Sequence, residues 1–125
     1  MNILHLQIKA SRGEPMRSVS GLELIAGRGI AGDVNADPRS PRQILLASSP
    51  FLDERKLEPG DIRENIVLDG IVESFSSGQL LRLGRSAVVR MTFPCEPCHR
   101  LEDVQKGLAK ALLGRRGMLA RVLVS

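Results

Sequence analysis

A chain of 125 residues with 18 basic and 14 acidic side chains, a net charge of +4 and 42% hydrophobic content has the size and balance of one folded domain with its own core. That composition excludes disordered and collagen-like chains, and two cysteines make no disulfide framework. With no Trp or Tyr and only Phe51, Phe75 and Phe93 as aromatics, base-stacking platforms are missing, so nucleic acid is not an expected partner.

The opening "MNILHLQIKA" has no basic region ahead of an apolar run and no small-residue cleavage site, and no later segment approaches the length of a membrane span. A cytoplasmic protein with reduced thiols and no membrane contact is expected. Its segment 3–9 reads as a strand, and "GLELIAG" at 21–27 as another. "GRGIAG", Gly27 to Gly32, matches G-x-G-x-x-G, but dinucleotide binding needs a helix to follow. Pro38 and Pro41 in "DVNADPRSPRQ" forbid one, so a turn is expected there. "RQILLA" at 42–47 is a strand, followed by a short helix in which Ser49 caps, Pro50 takes the first position and "FLDERKL" continues. "RENIVL" at 63–68, "QLLRLG" at 79–84 and "AVVRMTF" at 87–93 read as strands. Leu101, Val104, Leu108 and Leu112 in "LEDVQKGLAKALL" recur at helical spacing over 101–113, with Gly114 as the stop, and "MLARVLV" at 118–124 is the last strand. Strands dominate without regular helical alternation, which predicts a mainly β fold over residues 1–125, a closed or nearly closed barrel with a few peripheral helices.

Both cysteines fall in "TFPCEPCHRL" at 92–101, where Cys95, Cys98 and His99 match the C-x-x-C-H of haem attachment. No export signal and no second axial ligand accompany the match, so no haem is expected. Zinc would need four converging ligands, with His5 the only other histidine. A thioredoxin-like dithiol would need the motif to open a helix inside a βαβ unit, which the pattern lacks. What is left is Cys98 just ahead of a helix, with amides, His99 and Arg100 nearby to favour the thiolate. The competing reading makes both cysteines ordinary buried side chains. Arg outnumbers Lys by 14 to 4, which suits bidentate capture of a small phosphate or carboxylate, or simply a solvated basic surface.

Taken together, "GIAGD" at 29–33, "RQILL" at 42–46, "LEPGDIRENIVLDGI" at 57–71, "GQLLRLG" at 78–84, "CEPCHRL" at 95–101 and "GRRGMLARVLV" at 114–124 resemble a MOSC domain. That module is found at the C-terminus of molybdenum cofactor sulfurases, in amidoxime-reducing enzymes and as small stand-alone bacterial proteins. The resemblance implies a strand-rich, β-barrel-like fold and a protein that binds molybdenum cofactor, a molybdopterin-type small molecule, or carries activated sulfur. Cys98 matches the family cysteine better than Cys95 does. It would be the reactive thiol and the ligand of a soft-preferring metal. Arg42, Arg63, Arg115 and Arg116 would hold the phosphate and pterin edge, with Glu64 and Asn65 as polar contacts. A cysteine desulfurase or a molybdoenzyme is the implied protein partner. The lysines (Lys9, Lys56, Lys106 and Lys110) lie outside the motifs, so no pyridoxal phosphate is expected on this chain although the family is linked to enzymes that use it. Relatives commonly carry His where Asn35 stands. They also continue past the position of Ser125 into another strand, so either the barrel keeps an open edge that a homodimer covers or an earlier strand closes it. The alternative function is a non-catalytic accessory module that binds a partner enzyme, with structural cysteines.

Overall fold

The computed structural model describes residues 1–125. Nine strands form: β1 (Ile3–Ile8), β2 (Arg17–Ser18), β3 (Leu24–Ile25), β4 (Gly29–Ile30), β5 (Ile44–Ser48), β6 (Ile66–Leu68), β7 (Leu80–Leu83), β8 (Ala87–Pro94) and β9 (Met118–Val124). Two short α-helices, α1 (Ser49–Glu54) and α2 (Leu108–Ala111), and 3-10 turns at Val72–Ser74 and His99–Asp103 complete the chain. No helix is long and apolar enough to cross a membrane.

Seven strands make one sheet in the order β2-β1-β6-β5-β9-β8-β7, and β3 and β4 pair separately. The mainly β expectation holds, but the closed barrel does not. Strands β2 and β7 stay at opposite edges with no ladder between them. The ribbon of β3 and β4 does not bridge that gap. It hangs on β9 instead, through the Gly27 amide to the Val122 carbonyl (2.8 Å) and the Ala26 amide to Ser125 Oγ (2.7 Å). Of the two alternatives the sequence left, no earlier strand closes the sheet: its open edges are β2 and β7, and β9 lies inside it between β5 and β8.

The central strands are apolar on both faces, the pattern of strands covered on both sides. Ile44 and Leu46 of β5, Ile66 and Leu68 of β6, and Met118, Ala120 and Val122 of β9 enter the main core with Ile30, Val89 and Met91. The opposite face of β5 and β6 presents Ala47 and Val67 to Leu52 of α1, Ile62, Leu101, Leu108 and Leu112. A third, small cluster joins Leu45, Leu119 and Cys95.

Two helical expectations are corrected. The chain over 101–113 is not one helix: Gly107 takes φ +81° and separates the 3-10 turn from α2. Glu102 reaches across the break, accepting the Gly107 amide at 2.8 Å and the Ala109 amide at 3.0 Å. Leu101, Leu108 and Leu112 still meet in the core while Val104 is left exposed. At α1 the N-cap is Ser48 rather than Ser49, and its hydroxyl does not cap. It donates to Glu73 Oε1 (2.6 Å) and accepts the Val72 amide (2.9 Å), so it ties the crossover instead. Strands β5 and β6 run parallel with α1 between them. A βαβ unit therefore does exist, but the cysteines lie outside it. The "GRGIAG" stretch opens no helix: Gly27 lies in the β3–β4 turn, Gly29 begins β4 and Gly32 lies in the turn after it.

Gly117 is the point of closest approach between β9 and β5. Its φ is +109°, and a Cβ there would penetrate the Leu46 carbonyl oxygen. Its own carbonyl receives the Cys95 amide at 3.0 Å. Gly117→Ala is therefore expected to destabilise the domain by about 3 kcal/mol or more, read as a fall in the urea unfolding midpoint. An unchanged midpoint would mean that the two strands can separate there at no cost.

Candidate functional site

Cys98 ends an extended segment that leaves β8, and it begins the 3-10 turn His99–Asp103. Residues 95–98 make no turn or bend. Cys95 packs against Leu45 and Leu119, while Cys98 is half-buried. Both are free thiols, and nowhere do three His, Cys, Asp or Glu side chains gather as a metal cluster.

The two thiols are driven apart electrostatically. Burial pushes the Cys95 thiol up, against the opposing charges of Arg116 and Arg42. Partial burial also acts to raise Cys98, but the Arg100 amide, the Arg116 guanidinium and the Leu101 amide outweigh it and hold the thiol below its ordinary value. The amides ahead of the turn were legible in the sequence. The cation beside the sulfur comes instead from the entry to β9.

Arg116 is a buried cation held by carbonyls rather than by a carboxylate. Its Nη1 donates to the Glu96 carbonyl at 3.0 Å and its Nη2 to the Ile62 carbonyl at 3.3 Å. Its Nε, also buried, has no partner. The side chain thus bridges the cysteine segment and the loop carrying "RENI".

That loop shapes a pocket of about 460 Å³ lined by Lys9, Arg12, Gly13, Met16, Val34, Asn35, Arg63 and Arg100. A second hollow of about 400 Å³ shares Lys9 and Arg63 with it. The only ion pairs in the molecule are Arg39–Asp37 and Arg115–Glu54, so all four cations of the first pocket are unpaired. Arg63 sits at φ +66°, a strained backbone for a side chain other than glycine, and its amide closes a turn on the Gly60 carbonyl at 2.9 Å.

Glu64 and Asn65 are scaffold beneath this pocket. Asn65 Oδ1 accepts the Leu45 amide (3.0 Å), and its Nδ2 donates to the Gln7 carbonyl (3.2 Å) and to Asp33 Oδ1 (3.3 Å). Asp33 also receives the amides of Lys9 (3.0 Å) and Asn35 (3.1 Å), so it fixes two pocket walls at once. Glu64 is fully buried, with Oε2 on the Gly60 amide at 3.0 Å and Oε1 unpartnered. Burial pushes its carboxyl up to about 7, only partly offset by the surrounding amides.

The remaining sequence candidates lie apart. Arg42 stacks on Phe93, 5.3 Å from the ring centroid, and Arg115 stacks on Phe51 at 5.1 Å beside Glu54. Neither lines the basic pocket. Lys9 and Arg12 do, and sequence reasoning passed over both; the signal available was a basic residue on each side of the turn "KASRGEP". The largest cavity, about 680 Å³, lies elsewhere, among Ile3, Leu6, Leu24, Leu83 and Ala87. It is mostly apolar and contains neither cysteine, so size alone does not mark the chemistry.

Two outcomes follow from this geometry. Iodoacetamide at neutral pH is expected to modify Cys98 faster than Cys95 by about tenfold or more, read by peptide mass. Equal rates would dissolve the distinction between the thiols. Folding raises the Glu64 pKa above its ordinary 4.5, so its stabilisation is complete below that pH and is lost as pH rises through about 7. The loss is on the order of 2–3 kcal/mol. Glu64→Gln should flatten urea-measured stability over that window, and a wild-type curve already flat there would show that the carboxyl is not held neutral.

Residues 41–125 match the family model for the MOSC domain. No curated protein matches the chain. Among solved structures, a hypothetical protein aligns with TM-score 0.74 at 21% identity over 94% of this chain and 59% of its own. YiiM from Escherichia coli aligns with TM-score 0.66 at 20% identity, over 95% of this chain and 62% of its own. The YUAD protein from Bacillus subtilis aligns with TM-score 0.71 at 16% identity, over 97% and 87% respectively. The chain thus spans about three fifths of the first two structures. At these identities the structural likenesses speak for the fold, and the match covering most of the sequence speaks for the lineage: the chain belongs to the MOSC domain family.

Proposed function

We propose that this protein binds molybdenum cofactor and carries sulfur on Cys98. The observation that carries the reading is a half-exposed thiol whose pKa the buried Arg116 guanidinium helps to lower, in a segment whose Arg100 lines a pocket with three further cations, none of them in an ion pair. A thiolate of this kind accepts a sulfane sulfur as a persulfide or ligates a soft metal. The donor set suits a metal that arrives in its own chelate, because the protein adds one thiolate and no ligand cluster. Bound there, the cofactor would supply metal-centred transfer chemistry.

The roles within the chain follow from position. Lys9, Arg12, Arg63 and Arg100 would receive the phosphate, with Asn35 as a neutral donor at the same wall. Arg116 and the amides of Arg100 and Leu101 favour the ionised sulfur. Cys95 stays protonated in its apolar cluster and takes no part in loading.

Incubated with a cysteine desulfurase and cysteine, the protein should gain one sulfur on Cys98, absent in Cys98→Ser and largely kept in Cys95→Ser. Equal loss in both variants would contradict the single-thiol reading. Arg63→Ala should weaken binding of the cofactor by about 1.5–3 kcal/mol, the range for a charge-assisted hydrogen bond, while Arg115→Ala leaves it unchanged. Equal effects in the two variants would move the phosphate away from this pocket.

A further inference from the structure

One edge of the seven-stranded sheet is both unpartnered and unblocked. Strand β7 pairs only with β8, in a register that runs without a bulge from Leu80↔Arg90 to Leu83↔Ala87, and it contains no proline. The Met91 amide donates to the Gln79 carbonyl at 2.9 Å. By the alternation of an antiparallel ladder, Leu81 and Leu83 then bond β8, while Leu80 and Arg82 turn their amides and carbonyls outward. Such a row is a template for a further strand, and natural edges are commonly blocked by proline, a bulge or covering chain.

The two faces of this edge differ in chemistry. On one, Leu81 and Leu83 pack against the main core, and Leu83 also borders the cavity of about 680 Å³. Residues from both ends of the sheet order line that cavity, Leu83 and Ala87 on one side and Ile3 and Leu6 of β1 on the other, so it marks the gap a closing strand would fill. Leu80 and Arg82 point to the opposite face, which their ladder partners Arg90 and Val88 share. There Leu80 is 56% exposed. No Asp or Glu occurs between Glu73 and Glu96, and neither Arg82 nor Arg90 is in an ion pair. Exposed apolar side chains mixed with arginine are the composition of a protein–protein contact.

We propose that an extended acidic segment of a partner protein adds to β7 as a further strand. Every second side chain of that segment is apolar and enters the cavity, and the carboxylates between them meet Arg82 and Arg90. Charge selects this occupant over a second copy of the chain. Two β7 edges paired with each other would gather Arg82 and Arg90 of both copies on one face, with no carboxylate on β7, β8 or β9 to separate them. Like charges across a ladder oppose pairing. The same arginines that block a basic edge therefore admit an acidic one. This surface shares no residue with the basic pocket, and the proposal does not depend on the chemistry of Cys98.

The probe is a blocked six-residue peptide of alternating valine and glutamate, set against the same peptide with lysine for glutamate. The readouts are the amide spectrum and amide exchange of the isotope-labelled full chain. The acidic peptide should shift the β7 resonances and slow exchange of the Leu80 and Arg82 amides by about tenfold or more. It should also bind about tenfold or more tightly than the basic peptide, a preference that shrinks as salt is added. In the double variant Arg82→Glu with Arg90→Glu the preference should reverse, while the urea midpoint moves only as far as exposed substitutions move it. Equal binding of the two peptides would overturn the proposal. So would shifts confined to the basic pocket, or no binding of either peptide to a chain that unfolds cooperatively. If the Leu80 and Arg82 amides are protected without peptide and lose that protection on dilution, a second copy holds the edge and the acidic partner is wrong.

Discussion

A single guanidinium holds this site together. Arg116 enters from the start of β9 and spans two carbonyls, Glu96 on the cysteine segment and Ile62 on the loop before β6. Those segments are far apart in sequence and neither contains a regular element that would align it. Buried without a carboxylate, the charge is stabilised by carbonyl dipoles and by whatever negative charge Cys98 carries. The dependence runs both ways. The thiolate is favoured by the cation, and the cation is tolerable in the interior because an ionisable sulfur lies beside it. Gly117 is part of the same device. Only a residue without a Cβ lets β9 pass the Leu46 carbonyl directly after Arg116 has been delivered.

Beneath this lies a layer of polar scaffold. Asn65 and Asp33 connect β1, β5 and the loop after β4 through side-chain bonds, so the walls that carry Lys9, Asn35 and Arg63 are tied to one another. The strained φ of Arg63 fits that picture. A turn made rigid on both sides can hold one residue in an unfavourable conformation and keep its side chain at the pocket. Glu64 adds a buried carboxyl that accepts the Gly60 amide, and its burial favours the protonated form.

The strands were legible because their apolar runs are short and bounded by turn residues, and "AVVRMTF" and "MLARVLV" fall within a residue or so of β8 and β9. Closure was not legible. Whether β2 reaches β7 depends on tertiary placement of two-residue strands that carry no periodic signal. The helix over 101–113 failed at one residue: Leu101, Leu108 and Leu112 do share a face, and the left-handed Gly107 between them gives the same burial through a turn. Cys98 could be told from Cys95 as the candidate thiol by its local motif, and it is the more exposed of the two. Arg115 could not be told from Arg116 that way, and only the fold shows one on the surface against Phe51 and the other inside. Lys9 and Arg12 belong to the pocket through β1 pairing with β6, a long-range contact that no local pattern announces.

The central claim is that the Arg116 guanidinium, fixed on two carbonyls, sets the ionisation of Cys98. The direct measurement is a titration of the thiolate by its ultraviolet absorbance in Cys95→Ser, where Cys98 is the only thiol, with and without Arg116→Met, in proteins that still unfold cooperatively. The account predicts a Cys98 pKa below the ordinary thiol value in the first protein and a clearly higher one in the second, with Arg116→Lys between them. A Cys98 pKa that is the same in all three would contradict it.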